Sequence, residues 1–382
     1  KMHNVVIVGA GKEGKGTFGD IFHENNWNIT FLDKDESVIN QLNSKGKYEV
    51  EALYVDHTEL HTIANFKAYL INEIENHLDC IVDADVIVLA LYPEDILNSL
   101  DYLNVGLKER AKNNPEKKLT ILCGTNKNHM IKGIENHILN TLEIDGLWYA
   151  NNVALRDMII RRSSNASSTD ATELTTKAVQ TLLVQSPVNF AVDEFRWFEL
   201  CQNLEMMKDI KLYTYNSPHA ACAYVGYNFG YKTIEEASKN PTIKKIMDGC
   251  IDEAKRGILQ KFPISKEELD KFVDAPKPLG EETEYITRVA FDPIRKLARY
   301  DRLTGIAMIC LENNIECPNL IKAIAYGMKY DYSGDPSASE IQNFIKNDGL
   351  KNAISKVIGV EVNHKIIDAV ADEYESIKPS ID

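Results

Sequence analysis

The segment from Asn4 to Asp33 constrains the fold more than any other part of the chain. The apolar run VVIV at residues 5–8 has the composition of a buried parallel strand. The sequence GAGKEG follows at residues 9–14 and has the glycine spacing of a tight turn into a helix. A second apolar run at residues 29–32 then ends on Asp33. Together these features predict a strand, a turn, a helix and a second strand, which form the opening unit of a doubly wound parallel sheet.

This glycine spacing has a specific chemical use. Gly9 permits the tight turn, Gly11 lets the backbone approach a pyrophosphate, and Gly14 lets the helix and strand pack closely. Asp33 can accept hydrogen bonds from both ribose hydroxyls and would repel a 2′-phosphate, which favours NAD over NADP, although Lys34 could soften that preference. The alternative is a glycine turn that only makes a sharp corner. The predicted NAD site comprises Gly9, Gly11, Lys12, Glu13, Gly14 and Asp33.

Length, charge and cysteine content limit the class of protein. The 382 residues suffice for two domains with separate cores. A net charge of -14 argues against general binding to nucleic acid or an anionic membrane, and no apolar run reaches the roughly 18 residues of a membrane span. The seven cysteines include no C-x-x-C pair, which indicates reduced thiols. We therefore expect a soluble cytoplasmic protein, a monomer or weak homo-oligomer, with a small-molecule substrate.

The alternation of strand and helix patterns continues to about residue 190. Long helical patterns dominate beyond residue 193, beginning with residues 195–208. The fold class predicted is an α/β Rossmann-type doubly wound domain followed by an all-helical C-terminal domain. We place the NAD-binding domain at residues 1–190 and the helical substrate and catalytic domain at residues 191–382.

Several strands and loops inside the first domain bear on the site. Strands are predicted at residues 48–54, 85–91, 119–123 and 147–150, and the first of these departs from the simplest topology. Ligands bind at the carboxyl ends of parallel strands, so residues 90–94, 124–126 and 151–156 are expected to line the coenzyme site. The polar segment at residues 163–170 is predicted to be a loop, and the adjacent Arg161 and Arg162 are interpreted as surface charge.

The strongest candidate for chemistry is KLYTYNSPHA at residues 211–220. Oxidation of a secondary alcohol needs a base for the hydroxyl proton and donors that stabilise the developing alkoxide, and Lys211, Asn216 and His219 offer both. The alternative is a solvated lysine and a structural histidine. On a continuous α-helix Lys211 would lie about 140° from Asn216, so either a helix begins near Ser217 or a kink redirects the lysine.

Motifs along nearly the whole chain resemble those of the polyol-specific long-chain dehydrogenases. The lysine, asparagine and histidine have that family's K-x4-N-x2-H spacing, and GAGKEGKG at residues 9–16 resembles its glycine-rich opening. PIRKL at residues 293–297, followed by DRL at 301–303, resembles another of its motifs, as does DPSASE at 335–340. Two departures are Leu155, which replaces an aspartate, and Pro218, which stands where a glycine is usual.

The resemblance implies an NAD-dependent oxidoreductase that interconverts mannitol 1-phosphate and fructose 6-phosphate. It implies that Lys211 is the general base, that Asn216 and Asn126 form an oxyanion hole, and that His219 contacts substrate hydroxyls. The residues themselves predict no metal site. Without paired cysteines a zinc-dependent route is not expected, and the i,i+4 pair His57 and His61 has no third ligand with suitable spacing.

A phosphorylated substrate needs local positive charge, which arginine supplies as a bidentate fork. In a single helix Arg295, Arg299 and Arg302 would share one face, and the alternative is a salt-bridged face beside Asp292 and Asp301. Rival functions are a dehydrogenase or reductase for another polyol, polyol phosphate or sugar acid, and a non-catalytic NAD-binding sensor, which the segment around Leu155 motivates. The phosphate candidates are Arg156, Arg295, Lys296, Arg299 and Arg302.

Overall fold

The computed structural model describes residues 2–143, 146–279 and 283–379. The chain forms two compact units, residues 1–205 with 276–281 and residues 206–275 with 282–382. No helix within the described residues has the length and apolar character needed to cross a bilayer.

The strands of the described residues all lie in the first unit. They are β1 (Asn4–Val8), β2 (Asn28–Asp33), β3 (Lys47–Leu53), β4 (Thr58–Ala64), β5 (Lys67–Leu70), β6 (Val86–Leu89), β7 (Leu119–Cys123), β8 (Val153–Ile159), β9 (Ser164–Ala166), β10 (Glu173–Lys177), β11 (Leu182–Gln185) and β12 (Phe198–Cys201).

The helices of the first unit connect these strands. They are a π-helical segment (Gly14–Gly19) leading into α1 (Asp20–Glu24), then α2 (Glu36–Lys45), α3 (Asp79–Val82), α4 (Ile96–Asn113), α5 (Ile131–Leu142), α6 (Gly146–Asn152) and the start of α7 (Leu204–Lys211). Short 3-10 turns lie at Ile71–Asn76, Pro93–Asp95 and Val192–Glu194.

The main sheet has eight strands in the order β12-β11-β8-β7-β6-β1-β2-β5. The run from β8 to β5 is entirely parallel, and its strand order is that of a dinucleotide-binding fold. The strand order reverses at β1, whose neighbours are β2 and β6. Strands β1, β6 and β7 are buried almost throughout, because helices cover both faces of the sheet. The predicted Rossmann-type architecture is therefore confirmed.

A second sheet of four strands has the order β4-β3-β10-β9. It contains the strand predicted at residues 48–54, which indeed leaves the main sheet. It also contains β9, so the prediction of a loop at residues 163–170 is wrong for Ser164–Ala166. The polar side chains of β9 face hydrogen-bond partners on the glycine-rich helix, a tertiary pattern that sequence periodicity does not report.

Two further local predictions are wrong. Residues 147–150 form part of α6, and the strand follows them as β8. Residues 195–208 contain β12 and the start of α7 in place of one long helix. Both errors have the same cause, since a short apolar run does not distinguish a strand from a buried helix.

The second unit is helical. After α7 a π-helical segment (Leu212–Asn216) leads into α8 (Ser217–Asn228), and the remaining helices are α9 (Ile234–Ser238), α10 (Pro241–Lys261), α11 (Lys266–Val273), α12 (Ile286–Val289), α13 (Pro293–Lys296), α14 (Thr304–Glu312), α15 (Pro318–Lys329), α16 (Pro336–Asp348), α17 (Leu350–Ile358) and α18 (Lys365–Ser376). Helix α8 is buried on almost every side, which makes it the centre of this unit. The predicted all-helical C-terminal domain is confirmed.

Candidate active site

The glycine-rich turn follows β1 at the point where the strand order reverses. Gly9 has a φ of 100°, a conformation that favours glycine, and its N–H donates to the Leu32 carbonyl at 2.8 Å. An added Cβ at Gly9 would overlap the Ala90 carbonyl, and one at Gly14 would overlap the carbonyl of Gly9 itself. The turn therefore packs tightly against β6 and against its own helix.

Gly11 differs from these two glycines. A Cβ added there would meet no atom of the described residues within 4 Å, its own chain neighbours aside. The backbone at Gly11 thus borders open space at the carboxyl edge of the sheet, beside the start of the helix. This is the space that a pyrophosphate needs, so the turn fits a dinucleotide.

Asp33 is fixed at the end of β2 beside the same turn. Its Oδ2 accepts the Ala10 N–H at 2.7 Å and its Oδ1 accepts the Asp35 N–H at 2.9 Å. Each carboxylate oxygen can accept a further hydrogen bond. The side chain is half-buried, which leaves it accessible to a ribose.

Lys12 and Glu13, which the sequence also assigns to the coenzyme, reach the second sheet. Glu13 Oε1 accepts the Ser164 N–H at 3.2 Å, Glu13 Oε2 accepts the Thr17 hydroxyl at 2.8 Å, and Lys12 Nζ lies 3.5 Å from Asn165 Oδ1. These contacts hold β9 against the glycine-rich helix. A coenzyme role for the two residues stays a prediction.

The helix after the turn carries a buried charge network that the sequence analysis missed. Arg162 Nη1 lies 3.0 Å from Asp20 Oδ2, its side chain is fully buried, and its guanidinium stacks 4.7 Å from the Trp197 ring. The interpretation of Arg162 as surface charge is therefore wrong. His61 Nδ1 lies 2.6 Å from the other oxygen of Asp20, and this hydrogen bond is the main cause that raises the pKa of His61 to about 9.

The other strand ends are less enclosed. Asn126 is exposed three residues beyond the end of β7. Arg156 lies within β8, where its Nε donates to the Pro187 carbonyl and its Nη1 donates to the Leu155 carbonyl at 2.9 Å. The expectation that residues 151–156 follow a strand end is wrong, because residues 151–152 end α6 and β8 runs from 153 to 159.

The candidate catalytic residues lie on a helix that runs without interruption from α7 into α8. The π-helical segment Leu212–Asn216 separates the two α-helices. A π-helix joins residue i to residue i+5, so it brings Lys211 and Asn216 to the same side of the helix. This resolves the alternatives left open by the sequence, since the helix does not begin at Ser217. Pro218 occupies the first turn of α8 next to the widened segment.

The side chains around this segment belong to the second unit. The Lys211 ammonium lies 5.7 Å from the centre of the Tyr215 ring, which in turn lies 5.9 Å from the His219 ring. His219 Nε2 lies 3.3 Å from Glu284 Oε2, and both side chains are partly buried. Glu284 was absent from the sequence-based site because no local motif connects it to His219.

The basic residues near Pro293 are not arranged as predicted. Helix α13 ends at Lys296 and α14 begins at Thr304, so Arg295, Arg299 and Arg302 do not share one helical face. The arginines pair with Asp292 at 3.4 Å, Glu312 at 3.4 Å and Asp301 at 2.8 Å, respectively.

The start of α13 is fixed by a carboxylate that is distant in sequence. Asp292 has a φ of 61°, and its N–H donates to the buried Asp335 carboxylate at 2.9 Å. The same carboxylate accepts the Ser337 N–H at the start of α16. Lys296 lies inside this turn, where its Nζ donates to the Val289 carbonyl and burial lowers the pKa of the amine to about 7.

Comparison with known proteins extends these observations. The chain matches the family model of the mannitol dehydrogenase Rossmann domain over residues 3–208 and that of the mannitol dehydrogenase C-terminal domain over residues 203–378. It is 29% identical to a mannitol-1-phosphate 5-dehydrogenase of Thermoanaerobacter pseudethanolicus, with 99% of this chain and 98% of that protein covered. It is 28% identical to the mannitol-1-phosphate 5-dehydrogenase of Bacillus licheniformis, with 95% and 97% covered.

Two solved structures share the fold. The mannitol 2-dehydrogenase of Pseudomonas fluorescens, described as a ternary complex with NAD and D-mannitol, has a TM-score of 0.70 at 14% identity and covers 98% of this chain and 92% of its own. A D-sorbitol dehydrogenase in substrate-free form has a TM-score of 0.75 at 10% identity, with 98% and 93% covered. The family models span nearly the whole chain and confirm the resemblance drawn from its motifs: the chain belongs to the mannitol dehydrogenase family.

Proposed function

We propose that the chain is an NAD-dependent oxidoreductase that interconverts mannitol 1-phosphate and fructose 6-phosphate. The observation that carries the proposal is the π-helical segment, which brings Lys211 and Asn216 to one side of a helix in a member of the mannitol dehydrogenase family. The relatives named mannitol-1-phosphate 5-dehydrogenase match over almost their full length, which favours the phosphorylated substrate over free mannitol.

The residues that would hold NAD are those of the glycine-rich turn and the end of β2. Gly11 leaves space for the pyrophosphate, the adjacent helix start offers N–H donors, and Asp33 offers carboxylate oxygens to the ribose hydroxyls. NAD bound there would supply the hydride acceptor at C4 of its nicotinamide ring. As a functional division, residues 1–190 bind the coenzyme and residues 191–382 carry the base.

The chain's own residues move the proton. The Lys211 amine takes the proton of the substrate hydroxyl, for which it has to be neutral, and it returns that proton in the reductive direction. The amides of Asn216 and Asn126 donate hydrogen bonds to the oxygen as negative charge develops on it. His219 orients neighbouring hydroxyls, and the Glu284 carboxylate lies 3.3 Å from its Nε2.

The substrate phosphate is assigned to basic side chains that already have partners. Arg295 is the most exposed arginine of its segment, at 58%, and its partner Asp292 is 3.4 Å away, so an incoming phosphate can compete for it. The other basic residues have closer or more buried contacts, which makes them weaker candidates for binding the phosphate: Arg299, Arg302, Lys296 and Arg156. A cytoplasmic location agrees with seven cysteines that form no disulfide within the described residues. We also propose that the protein is a monomer or weak homo-oligomer.

Replacement of the base tests the proposal. K211M should lower kcat for mannitol 1-phosphate oxidation by about 10²–10⁴-fold, the range of a general base, while NADH binding measured by fluorescence stays within about twofold. K244M is the matched control, because Lys244 is an exposed lysine of the same unit that, among the described residues, forms an ion pair only with Asp248 on its own helix face at 3.1 Å. Near-native turnover of K211M would remove Lys211 from the role of base.

Substrate comparison tests the reaction. Mannitol 1-phosphate should saturate the enzyme at a far lower concentration than mannitol, and fructose 6-phosphate should be reduced with NADH. Equal use of mannitol and its phosphate would shift the assignment to a dehydrogenase of free polyols. NADH binding without turnover of any polyol, polyol phosphate or sugar acid would support a sensor.

A further inference from the structure

An ion pair joins the segments that follow the two strands on either side of β1. Lys34 directly follows β2 and Asp95 ends the 3-10 turn after β6, and Lys34 Nζ lies 2.9 Å from Asp95 Oδ1. Strands β2 and β6 are the two neighbours of β1, so the pair bridges the strand ends on either side of the turn. In a dinucleotide fold this edge of the sheet receives the adenosine half of the coenzyme.

We propose that Asp95 determines coenzyme selectivity by holding the ammonium group of Lys34 away from the position of a 2′-phosphate. The inference rests on the proposed function, because it concerns the same coenzyme site. Asp95 lies 61 positions from Lys34 in sequence and belongs neither to the glycine motif nor to the end of β2.

Lys34 is the side chain that could reverse the selectivity set by its neighbour Asp33. A carboxylate at the end of β2 disfavours a 2′-phosphate, whereas a lysine beside it offers that phosphate a point charge. The hydrogen bond and charge of Asp95 raise the pKa of Lys34, so the ammonium is fully charged and already has an acceptor. NADP would have to take the lysine from Asp95, whereas NAD needs no such exchange.

We expect the Lys34–Asp95 pair to affect coenzyme binding more than the stability of the fold. Its side chains are 69% and 30% exposed, so it contributes little to the stability of the fold. The Asp95 side chain makes no capping hydrogen bond to α4, so its removal takes no hydrogen bond from the helix start. What the pair sets is the position of one charge at the mouth of the coenzyme site.

A double-mutant cycle of Asp95 and Lys34 tests this proposal. Dissociation constants for NADH and NADPH are measured by fluorescence titration of the full chain, without substrate, for the native protein, D95A, K34M and D95A/K34M. D95A should lower the Kd for NADPH by about three- to tenfold, as expected for one partly exposed charge contact, with a smaller change for NADH. In the K34M background D95A should change the Kd for NADPH by less than about twofold, because the restrained charge is absent.

A control variant tests whether the loss of any exposed ion pair changes coenzyme binding. E143Q removes the acid of another exposed pair, Lys108 with Glu143 at 3.2 Å, and should leave both dissociation constants unchanged. An equal effect of D95A on the Kd for NADPH with and without Lys34 would mean that Asp95 acts by its own charge, which overturns the proposal. A ratio of the NADPH and NADH dissociation constants that D95A leaves unchanged would overturn it as well. If the native protein binds neither nucleotide, the proposed function fails; if it binds NADH but D95A has no effect, only this inference fails.

Discussion

Alanine substitutions at Gly11 and Gly14 can separate an effect on coenzyme binding from an effect on folding. The two glycines are three residues apart, but an added Cβ has different surroundings at each position. A Cβ at Gly14 would overlap the carbonyl oxygen of Gly9, so G14A has to displace the turn or the helix. Overpacking of this kind costs about 2 kcal/mol, which lowers the melting temperature of a unit of this size by about 4–8 °C. G11A places its methyl group in open space and should leave the melting temperature unchanged.

G11A should weaken NADH binding although it leaves the melting temperature unchanged. Its methyl group occupies the space that the pyrophosphate needs, and a steric cost of about 2 kcal/mol corresponds to a roughly thirtyfold higher Kd for NADH. The assay pairs thermal unfolding of each variant with NADH fluorescence titration at a temperature well below either transition. G14A should lose stability, and G11A should lose affinity at native stability.

Gly133 is the matched control for both substitutions. It lies inside α5, where an added Cβ also meets no atom of the described residues within 4 Å. G133A should stabilise the helix by about 0.5–1 kcal/mol and leave NADH affinity unchanged. Native affinity of G11A would refute the location of the coenzyme at this turn, and native stability of G14A would refute the packing that we describe there.

Three further predictions concern the charge networks. R162M should lower stability by about 3–5 kcal/mol because it removes a buried partner of Asp20, and R162M/D20N should recover part of that loss in urea unfolding. The pKa of His61 is raised to about 9, so its stabilising contribution is complete below about pH 6.5 and is lost as the pH rises towards 9; H61Q should flatten the stability profile over that interval. E253Q should cost about 1–2 kcal/mol, measured by unfolding of the second unit, because the buried Glu253 carboxylate accepts the Asn319 and Leu320 N–H groups at the start of α15.

How far the fold could be predicted depends on whether its determinants are local in sequence. The unit from Asn4 to Asp33 is local, since the turn, the helix start and the acid lie within one strand–helix–strand segment, and it was predicted correctly. The short runs at residues 147–150 and 198–201 were assigned wrongly, because the packing that decides between helix and strand comes from distant residues. Burial of Arg162 by Asp20 and Trp197 likewise depends on contacts more than thirty residues apart, as the numbering shows.

The region of the phosphate candidates shows that a helical spacing does not guarantee one continuous helix. The spacing of Arg295, Arg299 and Arg302 is helical, but α13 ends at Lys296 and α14 begins only at Thr304. The start of α13 depends on a distant residue, because the buried carboxylate of Asp335 accepts the N–H of Asp292, 43 residues away, where Asp292 adopts a positive φ. Asp335 opens the DPSASE motif and Asp292 immediately precedes the PIRKL motif, yet only the structure connects the two segments to each other.

The K-x4-N-x2-H spacing has a physical explanation in the π-helical segment. In an α-helix residues five apart diverge by about 140°, so a base and an oxyanion donor at Lys211 and Asn216 would face different directions. One widened turn removes that divergence, while the following α-helical turn keeps His219 three residues on from Asn216 and on its face. A widened turn also costs stability relative to an α-helix, and such turns occur frequently at functional sites. The proposed roles of Lys211 and Asn216 require this alignment, and an α-helix of the same residues would not provide it.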